Sequence, residues 1–285
     1  MAASARGLAV IREAIKGDEK ALEEFLAQHS ATTMFMRGNL RDFGLNNREA
    51  PYAMRYFLAE TAGEVTGVGA IANIGTLMAQ ADESLDEIAA HMVGAAGPGF
   101  RPFGILAPPY IVAALQEAFE VGQQPTKMND IEPHFQLNKA ALKVPPMDGF
   151  SLRKPTMDDL AVLAAWNHAY SAEVLGGQDE ERSRAEAEQT ILSGQQRVLV
   201  KDGEIVSQTR FNAVLPDAVQ VGGVYTPACW RGRGFSRRAV ASHLAEAFAG
   251  GVQNAILFSA SEPASNVYRA IGFEQIGEYQ IVLFE

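Results

Sequence analysis

A stiff, proline-containing break lies near the middle of this 285-residue sequence. Its residues are Val144-Pro145-Pro146-Met147-Asp148-Gly149, and adjacent prolines followed by a glycine favour an extended, exposed connection over a helix or a central strand. Each flanking stretch has the length of an ordinary domain, and hydrophobic residues, at 47%, are frequent enough to fill two cores. We therefore predict two domains, residues 1–144 and residues 150–285, joined by this linker.

The charge of the chain is strongly negative. The formal net charge is −10 at pH 7, so nucleic acids and anionic membrane surfaces would repel the protein at long range. There is one local exception, because Arg231, Arg233, Arg237 and Arg238 fall within eight residues that contain no acid. We expect no nucleic-acid partner and no membrane partner, and we expect any bound anion at this basic segment.

The chain has a single cysteine and five scattered histidines. A lone Cys229 excludes an internal disulfide, and the histidines form no pair at a helical ligand spacing, so we expect no metal site. Residues 1–20 mix charged residues such as Arg6 and Arg12 with apolar ones and lack the apolar stretch of a signal peptide. We expect a cytoplasmic monomer or homodimer in which Cys229 is a small apolar filler and not a nucleophile.

The second half of the chain alternates strand-like and helix-like patterns. Phe150–Arg153 restarts the chain as a strand, and Thr156 and Asp159 form a candidate capping box before a helix. The other predicted elements are a helix at 182–192, strands at 197–201, 205–211 and 219–225, a helix at 236–248, a strand at 255–258, a helix at 264–270 and a terminal pair of strands ending at 280–284. This order predicts a mixed sheet with helices packed on it.

The first half has a similar pattern of helices and strands. Asp18 is a candidate N-cap for a helix whose apolar face holds Leu22, Phe25 and Leu26. The other predicted elements are a helix at 32–45, a hairpin of strands at 52–58 and 65–71, a helix at 84–92, a strand at 103–106, a helix at 110–119 and a strand at 135–137. The chain as a whole is predicted to be an α/β (α+β) protein.

The segment Arg231-Gly232-Arg233-Gly234-Phe235-Ser236 lies between a predicted strand that ends at Val224-Tyr225-Thr226 and a predicted helix. A glycine-rich turn in this position directs several backbone N–H groups into one concavity, and the helix dipole adds about half a positive charge there. Glycines also allow an anion to approach the backbone closely. With arginines as further donors, the segment predicts a diphosphate-binding site.

This turn is not a nucleotide-hydrolysis loop, since no Gly-Lys-Ser/Thr follows, and it lacks the third glycine of a dinucleotide fingerprint. It resembles the diphosphate-binding motif of the GNAT (Gcn5-related) N-acetyltransferase family: Gln or Arg, two variable residues, Gly, one variable residue, then Gly or Ala. Ser236 takes the last place here. Tyr268-Arg269-Ala270-Ile271-Gly272-Phe273 resembles the late helix-to-strand segment of the family, and the element order over 150–285 is similar to the family's fold.

The resemblance implies two tandem GNAT-like domains, each a mixed, mostly antiparallel sheet flanked by helices. It also implies an N-acetyltransferase that moves acetyl from acetyl-CoA, as cosubstrate, directly to a small-molecule or peptide amine. Tyr268 would be the general acid that returns a proton to the CoA thiolate, and a backbone N–H at a strand bulge near Val224 would polarise the thioester carbonyl. The residues implied to bind CoA are Val224, Tyr225, Thr226, Arg231, Gly232, Arg233, Gly234, Phe235, Ser236 and Asn266.

The residue that removes the proton of the acceptor amine is left open. Glu173, His168, Tyr170 and Gln208 are the candidates, because they lie on the helix and the strand expected to flank the acceptor. Trp166, which shares that helix with His168 and Tyr170, fits either the core or the acceptor pocket equally well.

The first half has no counterpart of the Arg/Gly segment. Its nearest glycine cluster, Gly94-Ala95-Ala96-Gly97-Pro98-Gly99, lacks a basic residue before the last glycine, so we interpret it as a degenerate copy in a GNAT-like domain that shapes the acceptor side. Two other functions fit the Arg/Gly segment. One is a CoA-binding sensor or regulatory module without turnover; the other is RNA binding, which the net charge of −10 disfavours.

Overall fold

A computed structural model describes residues 9–45, 47–174 and 177–285 of the chain, with only the backbone of Val174. The chain forms two compact units. The first contains the chain up to Ile131 together with Glu278–Glu285, and the second contains Glu132–Gly277. The units therefore differ from the contiguous segments 1–144 and 150–285 that the proline-containing linker predicts.

The same order of elements occurs twice along the chain: strand, two helices, three strands, helix, strand, helix, strand. The first repeat consists of β1 (Val10–Glu13), α1 (Glu19–Gln28), α2 (Ser30–Phe43), β2 (Met54–Thr61), β3 (Glu64–Ala72), β4 (Thr76–Ala81), α3 (Leu85–Ala96), β5 (Gly104–Ala107), α4 (Pro109–Ala118) and β6 (Thr126–Asn138). The second consists of β7 (Phe150–Arg153), α5 (Leu160–Val174), α6 (Glu180–Ser193), β8 (Gln196–Lys201), β9 (Glu204–Val214), β10 (Ala218–Tyr225), α7 (Phe235–Ala249), β11 (Asn254–Phe258), α8 (Glu262–Ala270) and β12 (Glu274–Phe284).

Each unit contains one mixed sheet. The strand order is β1-β2-β3-β4-β5-β12 in the first unit and β6-β11-β10-β9-β8-β7 in the second. Neighbouring strands run antiparallel except β4 with β5 and β10 with β11, which are parallel. The predicted fold class, a mixed and mostly antiparallel sheet flanked by helices, is confirmed.

Each unit takes its sixth strand from the other repeat. The end of β12 pairs with β5, from Gln280 opposite Ala107 to Leu283 opposite Gly104. The end of β6 pairs with every residue of β11, from His134 opposite Phe258 to Asn138 opposite Asn254. Strand pairing joins residues that are distant in sequence, and this exchange is the reason that the compact units do not end at the linker.

Helices cover both faces of each sheet. In the first unit Phe57 of β2 packs with α3 and α4, while its neighbour Leu58 packs with α1 and α2, because successive side chains of a strand point to opposite faces. In the second unit Val198 of β8 packs with α5 and α6, whereas Leu199 packs against Phe235 at the start of α7. These apolar contacts hold each helix against its own sheet.

Several elements differ from the sequence prediction. β1 and β4 were not predicted, β6 is longer than the predicted strand at 135–137, and the predicted terminal pair of strands is the single strand β12. Every residue of β4 is buried, so this strand lacks the alternation of apolar and polar residues that identifies a half-buried strand. The glycine cluster that begins at Gly94 lies at the end of α3, not before a helix, so its interpretation as a degenerate copy of the phosphate turn is wrong.

Candidate functional site

The two central parallel strands of the second unit separate towards their carboxyl ends. β10 pairs with β11 as far as Gln220 opposite Ile256, although β10 continues to Tyr225 and β11 continues to Phe258. Where paired strands separate, the peptide groups on the facing edge become available to another partner. The part of β10 that follows Gln220 can therefore hydrogen-bond an extended ligand.

β10 is also irregular along its other edge. Its register against β9 shifts twice, the second time between Gly222 and Tyr225, and Gly223 has a left-handed φ of 54°. The φ angle favours glycine, and a Cβ atom here would lie 2.6 Å from Nε of Arg210, so a larger residue would also require this side chain to move. The structure thus contains a bulge where the sequence analysis expects one, next to Val224.

A buried amide group holds this bulge. Gln208 of β9 donates from Nε2 to the carbonyl oxygen of Gly223 at 3.3 Å and to Oδ1 of Asn167 at 3.5 Å. Its Oε1 accepts a hydrogen bond of 3.1 Å from Gln196, and all three amide side chains are buried. Because an amide is not basic and this one is fully engaged, Gln208 positions the bulge and is a poor candidate for removing the acceptor's proton.

The turn from β10 to α7 spans residues 226–234. Gly232 and Gly234 have φ angles of 75° and 72°, a region that favours glycine. Gly234 is the N-cap of α7, and the first turn of this helix contains no acidic residue. Ser207 fixes the start of the turn, since its Oγ donates to the carbonyl of Tyr225 at 3.1 Å and lies 2.8 Å from Oγ1 of Thr226. The backbone therefore offers an uncapped helix start to an anion.

The side chain of Arg231 is engaged with protein groups. Its Nη2 donates to the two carboxylate oxygens of Glu173 at 3.0 and 2.7 Å, and its Nε donates to the carbonyl of Thr226 at 2.9 Å. The guanidinium also lies over the ring of Tyr225, 5.7 Å from its centroid. Arg231 thus joins the end of α5 to the end of β10, and Glu173 is bound by a cation.

The other predicted residues of the turn fall into two groups. Arg233 is exposed and lies over the ring of Trp230 at 5.0 Å, and Ser236 is partly buried at the start of α7. Phe235 is buried and packs on Phe150, with ring centroids 5.5 Å apart. Phe235 therefore anchors the start of the helix in the core. The groups of this turn that are available to an anion are those of its backbone.

Tyr268 lies in the core of the second unit on α8. Its ring contacts those of Phe135 and Phe273, with centroids 6.5 and 5.9 Å apart. Burial raises the pKa of Tyr268 well above its usual value of about 10, and Tyr170 and Glu132 add to this effect. The phenol is therefore protonated at neutral pH, as a proton donor must be.

Asn266 lies on a different side of α8 from Tyr268. Two residues along a helix correspond to about 200° of rotation, and Asn266 is exposed whereas Tyr268 is buried. The Oδ1 atom of Asn266 accepts a hydrogen bond of 3.4 Å from Arg269. The structure thus places Asn266 with charged surface residues and apart from the phenol with which the resemblance groups it.

Aromatic side chains of α5 face the end of β10. Trp166 and Tyr170 lie one helical turn apart, and both contact the ring of Tyr225, with centroid distances of 5.8 and 6.4 Å. Burial raises the pKa of Tyr170. His168 lies on another side of α5, where its Nδ1 is buried without a hydrogen-bond partner among the described residues. Trp166 and Tyr170 thus line the site, and His168 does not share their face.

Glu132 is a residue of this region that the sequence analysis did not identify. The negative charge of Glu132 adds to the burial that raises the pKa values of Tyr170 and Tyr268. It lies on β6 two residues before His134, which pairs with Phe258 at the end of β11. The sequence pattern indicated only a short strand at 135–137, and nothing local in the sequence predicts that this strand pairs with β11.

Other expectations from composition can be compared with the structure. Cys229 is exposed, so its interpretation as a small apolar filler is wrong. Over 9–45, 47–174 and 177–285, no group of three or more His, Cys, Asp or Glu side chains is arranged to hold a metal ion. In the same part of the chain, no helix combines the length and the apolar character needed to cross a membrane.

Solved structures with this fold cover nearly the whole chain. A GCN5-related N-acetyltransferase from Kribbella flavida has a TM-score of 0.58 at 16% identity, covering 91% of this chain and 95% of its own. One from Sphaerobacter thermophilus has a TM-score of 0.56 at 17% identity, covering 96% and 94%. A tandem GNAT protein from the clavulanic acid biosynthesis pathway has a TM-score of 0.53 at 17% identity, covering 96% and 97%.

These similarities show the fold, and they confirm the predicted tandem of GNAT-like domains. At the level of sequence, no protein-family model matches the chain and no curated protein matches it significantly.

Proposed function

We propose that the second unit transfers an acetyl group from acetyl-CoA to a primary amine. The observation that carries this proposal is the position of the Tyr268 phenol. Tyr268 belongs to the same buried cluster as Val221 and Leu257, the first residues after the last pair of β10 and β11. In the proposed site, this protonated phenol serves the opening between the two strands, where an extended thioester would end.

The residues around this opening fit the parts of CoA in order. The edge of β10 from Val221 to Tyr225 offers peptide groups to the pantetheine arm. The turn at Gly232 and Gly234 and the N-terminus of α7 offer N–H groups and a positive dipole to the diphosphate. The basic turn contrasts with the net charge of −10, so the site attracts an anion that the rest of the surface repels.

The reaction requires two proton transfers. The neutral amine attacks the thioester carbonyl carbon, a C–N bond forms, and the C–S bond breaks as the tetrahedral intermediate collapses. The nitrogen loses one proton to solvent. The departing thiolate gains one proton from the phenol of Tyr268, and solvent then reprotonates the phenolate of Tyr268. A backbone N–H at the bulge of β10 stabilises the oxyanion during the attack. An acceptor that arrives as an ammonium ion releases one net proton to solvent.

The fold neighbours support this assignment. The proteins from Kribbella flavida and Sphaerobacter thermophilus are described as GCN5-related N-acetyltransferases, and a further neighbour with a TM-score of 0.55 is described as a glucosamine N-acetyltransferase region. Because a shared fold does not determine a substrate, the choice of acceptor depends on the residues of this chain.

Replacement of Tyr268→Phe tests the proposal. The variant keeps the aromatic packing and loses only the proton donor, so we expect kcat to fall about 10²- to 10⁴-fold while the Kd for CoA is unchanged. Free CoA release is measured with butylamine, putrescine, lysine, glucosamine and tryptamine as acceptors, and the Kd is measured by calorimetry. Tyr110→Phe, on the exposed surface of α4, is the matched control, and its kcat and its Kd for CoA should equal those of the wild type.

A wild-type protein that binds CoA and acetylates none of these amines would contradict the enzyme proposal and favour a sensor or regulatory module. Equal kcat values for the wild type and Tyr268→Phe would remove Tyr268 from the mechanism. Binding of RNA that acetyl-CoA does not displace would contradict the assignment of the basic turn.

A further inference from the structure

Two polar side chains of β9 cover the bulge of β10. Arg210 lies opposite Gly222 in register, and Asn212 has no partner on β10 because the register shifts beside it. A Cβ atom at Gly222 would lie 2.1 Å from Nδ2 of Asn212. At Gly223 the corresponding atom would lie 2.6 Å from Nε of Arg210. The two glycines therefore leave the space that these side chains occupy.

The side chain of Arg210 crosses the bulge. Its Nε, Cδ and Cγ atoms lie 2.6, 2.8 and 2.9 Å from the Cβ position of Gly223, one residue beyond its register partner Gly222. This displacement is towards the end of β10 at Tyr225, whose ring contacts aromatic side chains of α5. The guanidinium group thus lies over the part of β10 that is proposed to hold the thioester.

Arg210 lies on the face of the sheet that α5 covers. Gln208, two residues earlier on β9, donates to Asn167 of α5, and residues two apart on a strand point to the same face. At the opening between β10 and β11, the opposite face is filled by the apolar cluster that contains Val221 and Tyr268. An acceptor therefore reaches the thioester carbonyl from the face that carries Arg210.

The charge of Arg210 is available to a ligand. Its Nε donates to Oδ1 of Asn212 at 3.2 Å, and within the described ranges the guanidinium makes no other hydrogen bond and no ion pair. Acidic residues outnumber basic ones in this chain, 34 to 24, yet none of the described ones neutralises this partly buried cation. Both Nη nitrogens are therefore free to bind an anion.

We propose that Arg210 binds a carboxylate of the acceptor, so that the substrate is an amino acid or another amine that carries a carboxylate. This inference rests on the proposed acetyl transfer and specifies its acceptor class. With Nε held by Asn212, the free edge of the guanidinium presents two parallel N–H groups, which match the two oxygens of a carboxylate. A carboxylate bound there directs the amine of the same molecule towards the bulge, where a backbone N–H polarises the thioester carbonyl.

The test compares amines that carry a carboxylate with amines that differ from them only by its loss. The pairs are lysine and cadaverine, tryptophan and tryptamine, and β-alanine and ethylamine. Steady-state kinetics with acetyl-CoA give kcat/KM for each compound. The wild type should favour the carboxylate-bearing member of its best pair by about 10- to 100-fold, as for a charge-assisted hydrogen bond.

Two replacements of Arg210 separate its charge from its shape. Arg210→Gln removes the charge, so we expect the preference within the best pair to fall to about twofold or less. Arg210→Lys keeps the charge without the planar fork and should give an intermediate preference. The KM for acetyl-CoA should equal that of the wild type in both variants.

Arg184→Gln is the matched control. Arg184 is exposed on α6 and forms no ion pair in the part of the chain that the structure describes, so its replacement removes the same charge away from the bulge. This variant should keep the wild-type preference for the carboxylate.

The preference within a pair separates recognition of the carboxylate from support of the bulge. If Arg210 only supported the bulge, its loss would slow both members of a pair equally, and that result would overturn the inference. A wild type that shows no preference for a carboxylate, or that acetylates only amines without one, would also overturn it, as would an equal loss of preference in Arg184→Gln. Each of these results leaves the proposed acetyl transfer intact, because the wild type still acetylates an amine. A wild type that acetylates no amine would overturn both the proposed function and this inference.

Discussion

The two repeats have the same order of elements, yet they differ in the turn that follows the fourth strand of each, β4 or β10. In the first unit, Asp82, Glu83 and Ser84 connect β4 to α3, and the first turn of α3 adds Asp86 and Glu87. In the second unit the connection is longer, contains Gly232 and Gly234, and leads into a helix whose first turn has no acid. The acids at this position of the first unit would repel a diphosphate.

The separation of the parallel strands is shared by both units. β4 pairs with β5 only at Thr76 and Leu77, and it continues beyond the paired part to Ala81. However, β4 pairs with β3 in regular register, whereas β10 is bulged against β9. The seventh residue of α4 is the buried Leu115, where the seventh residue of α8 is Tyr268. Both units therefore have an opening between their parallel strands. The second unit differs by the bulge, the basic turn and the phenol that the proposed reaction uses.

The largest effect that would sharpen this contrast is expected from Gly234→Val, at the start of α7, with Gly97→Val, at the end of α3, as a control for backbone strain. Both glycines have left-handed φ angles, 72° and 82°, so both variants lose about 1–3 kcal/mol of stability through backbone strain. Only Gly234 lies at the start of α7, so only that variant should bind CoA weaker, by about 10- to 100-fold. Calorimetry measures the affinity for CoA, and thermal unfolding measures the loss of stability caused by the strain. Weaker CoA binding in Gly97→Val would break the comparison.

A smaller effect concerns how the two units respond to acid. In the second unit His243 stacks on Phe211 at 3.7 Å, and burial, with a contribution from Arg197, lowers its pKa to about 3. Below about pH 6.5 the unfolded chain binds a proton that the folded unit excludes, so stability falls as the pH decreases from there towards 3. Between pH 6.5 and pH 5 the loss is about 2 kcal/mol.

The first unit has acid-sensitive contacts of another kind. Arg12 and Arg55 lower the pKa values of Asp18 and Glu13, so these ion pairs stabilise the unit above the ordinary carboxyl pKa of about 4 and weaken only below it. Hydrogen exchange at pH 5 should therefore show faster opening of amides in the second unit and little change in the first. His243→Gln should remove most of that difference, and an equal response of both units would contradict it.

The smallest effect is expected from Glu173→Gln. This exchange releases Arg231 from an exposed ion pair, and such pairs contribute about 0.2–1 kcal/mol. We expect the affinity for CoA to rise by no more than about fivefold, because Arg231 becomes available to the diphosphate. Arg182 pairs with Glu186 on the surface of α6, so Glu186→Gln is a matched control without an effect on CoA. A weaker affinity in Glu173→Gln would instead show that the ion pair organises the turn.

Local sequence signals predicted most of the second unit. The capping box at Thr156 and Asp159 is present, and the helix after the Arg/Gly turn begins at Phe235, one residue before the predicted start. The signals for the strands at 205–211 and 219–225 are apolar runs bounded by turn residues, which depend only on near neighbours. β4 escaped prediction because it is buried on both faces and shows no alternation.

The sequence by itself determined the class of fold, the glycine-rich turn with its arginines and the tyrosine of α8, because each depends on residue types at short, fixed spacing. Only the tertiary structure decided which strands complete each sheet, that Arg231 is bound to Glu173, and that Asn266 is exposed while Tyr268 is buried. The physical reason is that strand pairing and side-chain contacts join residues far apart in the chain. The exchange of β6 and β12 between the units has no local signal at all.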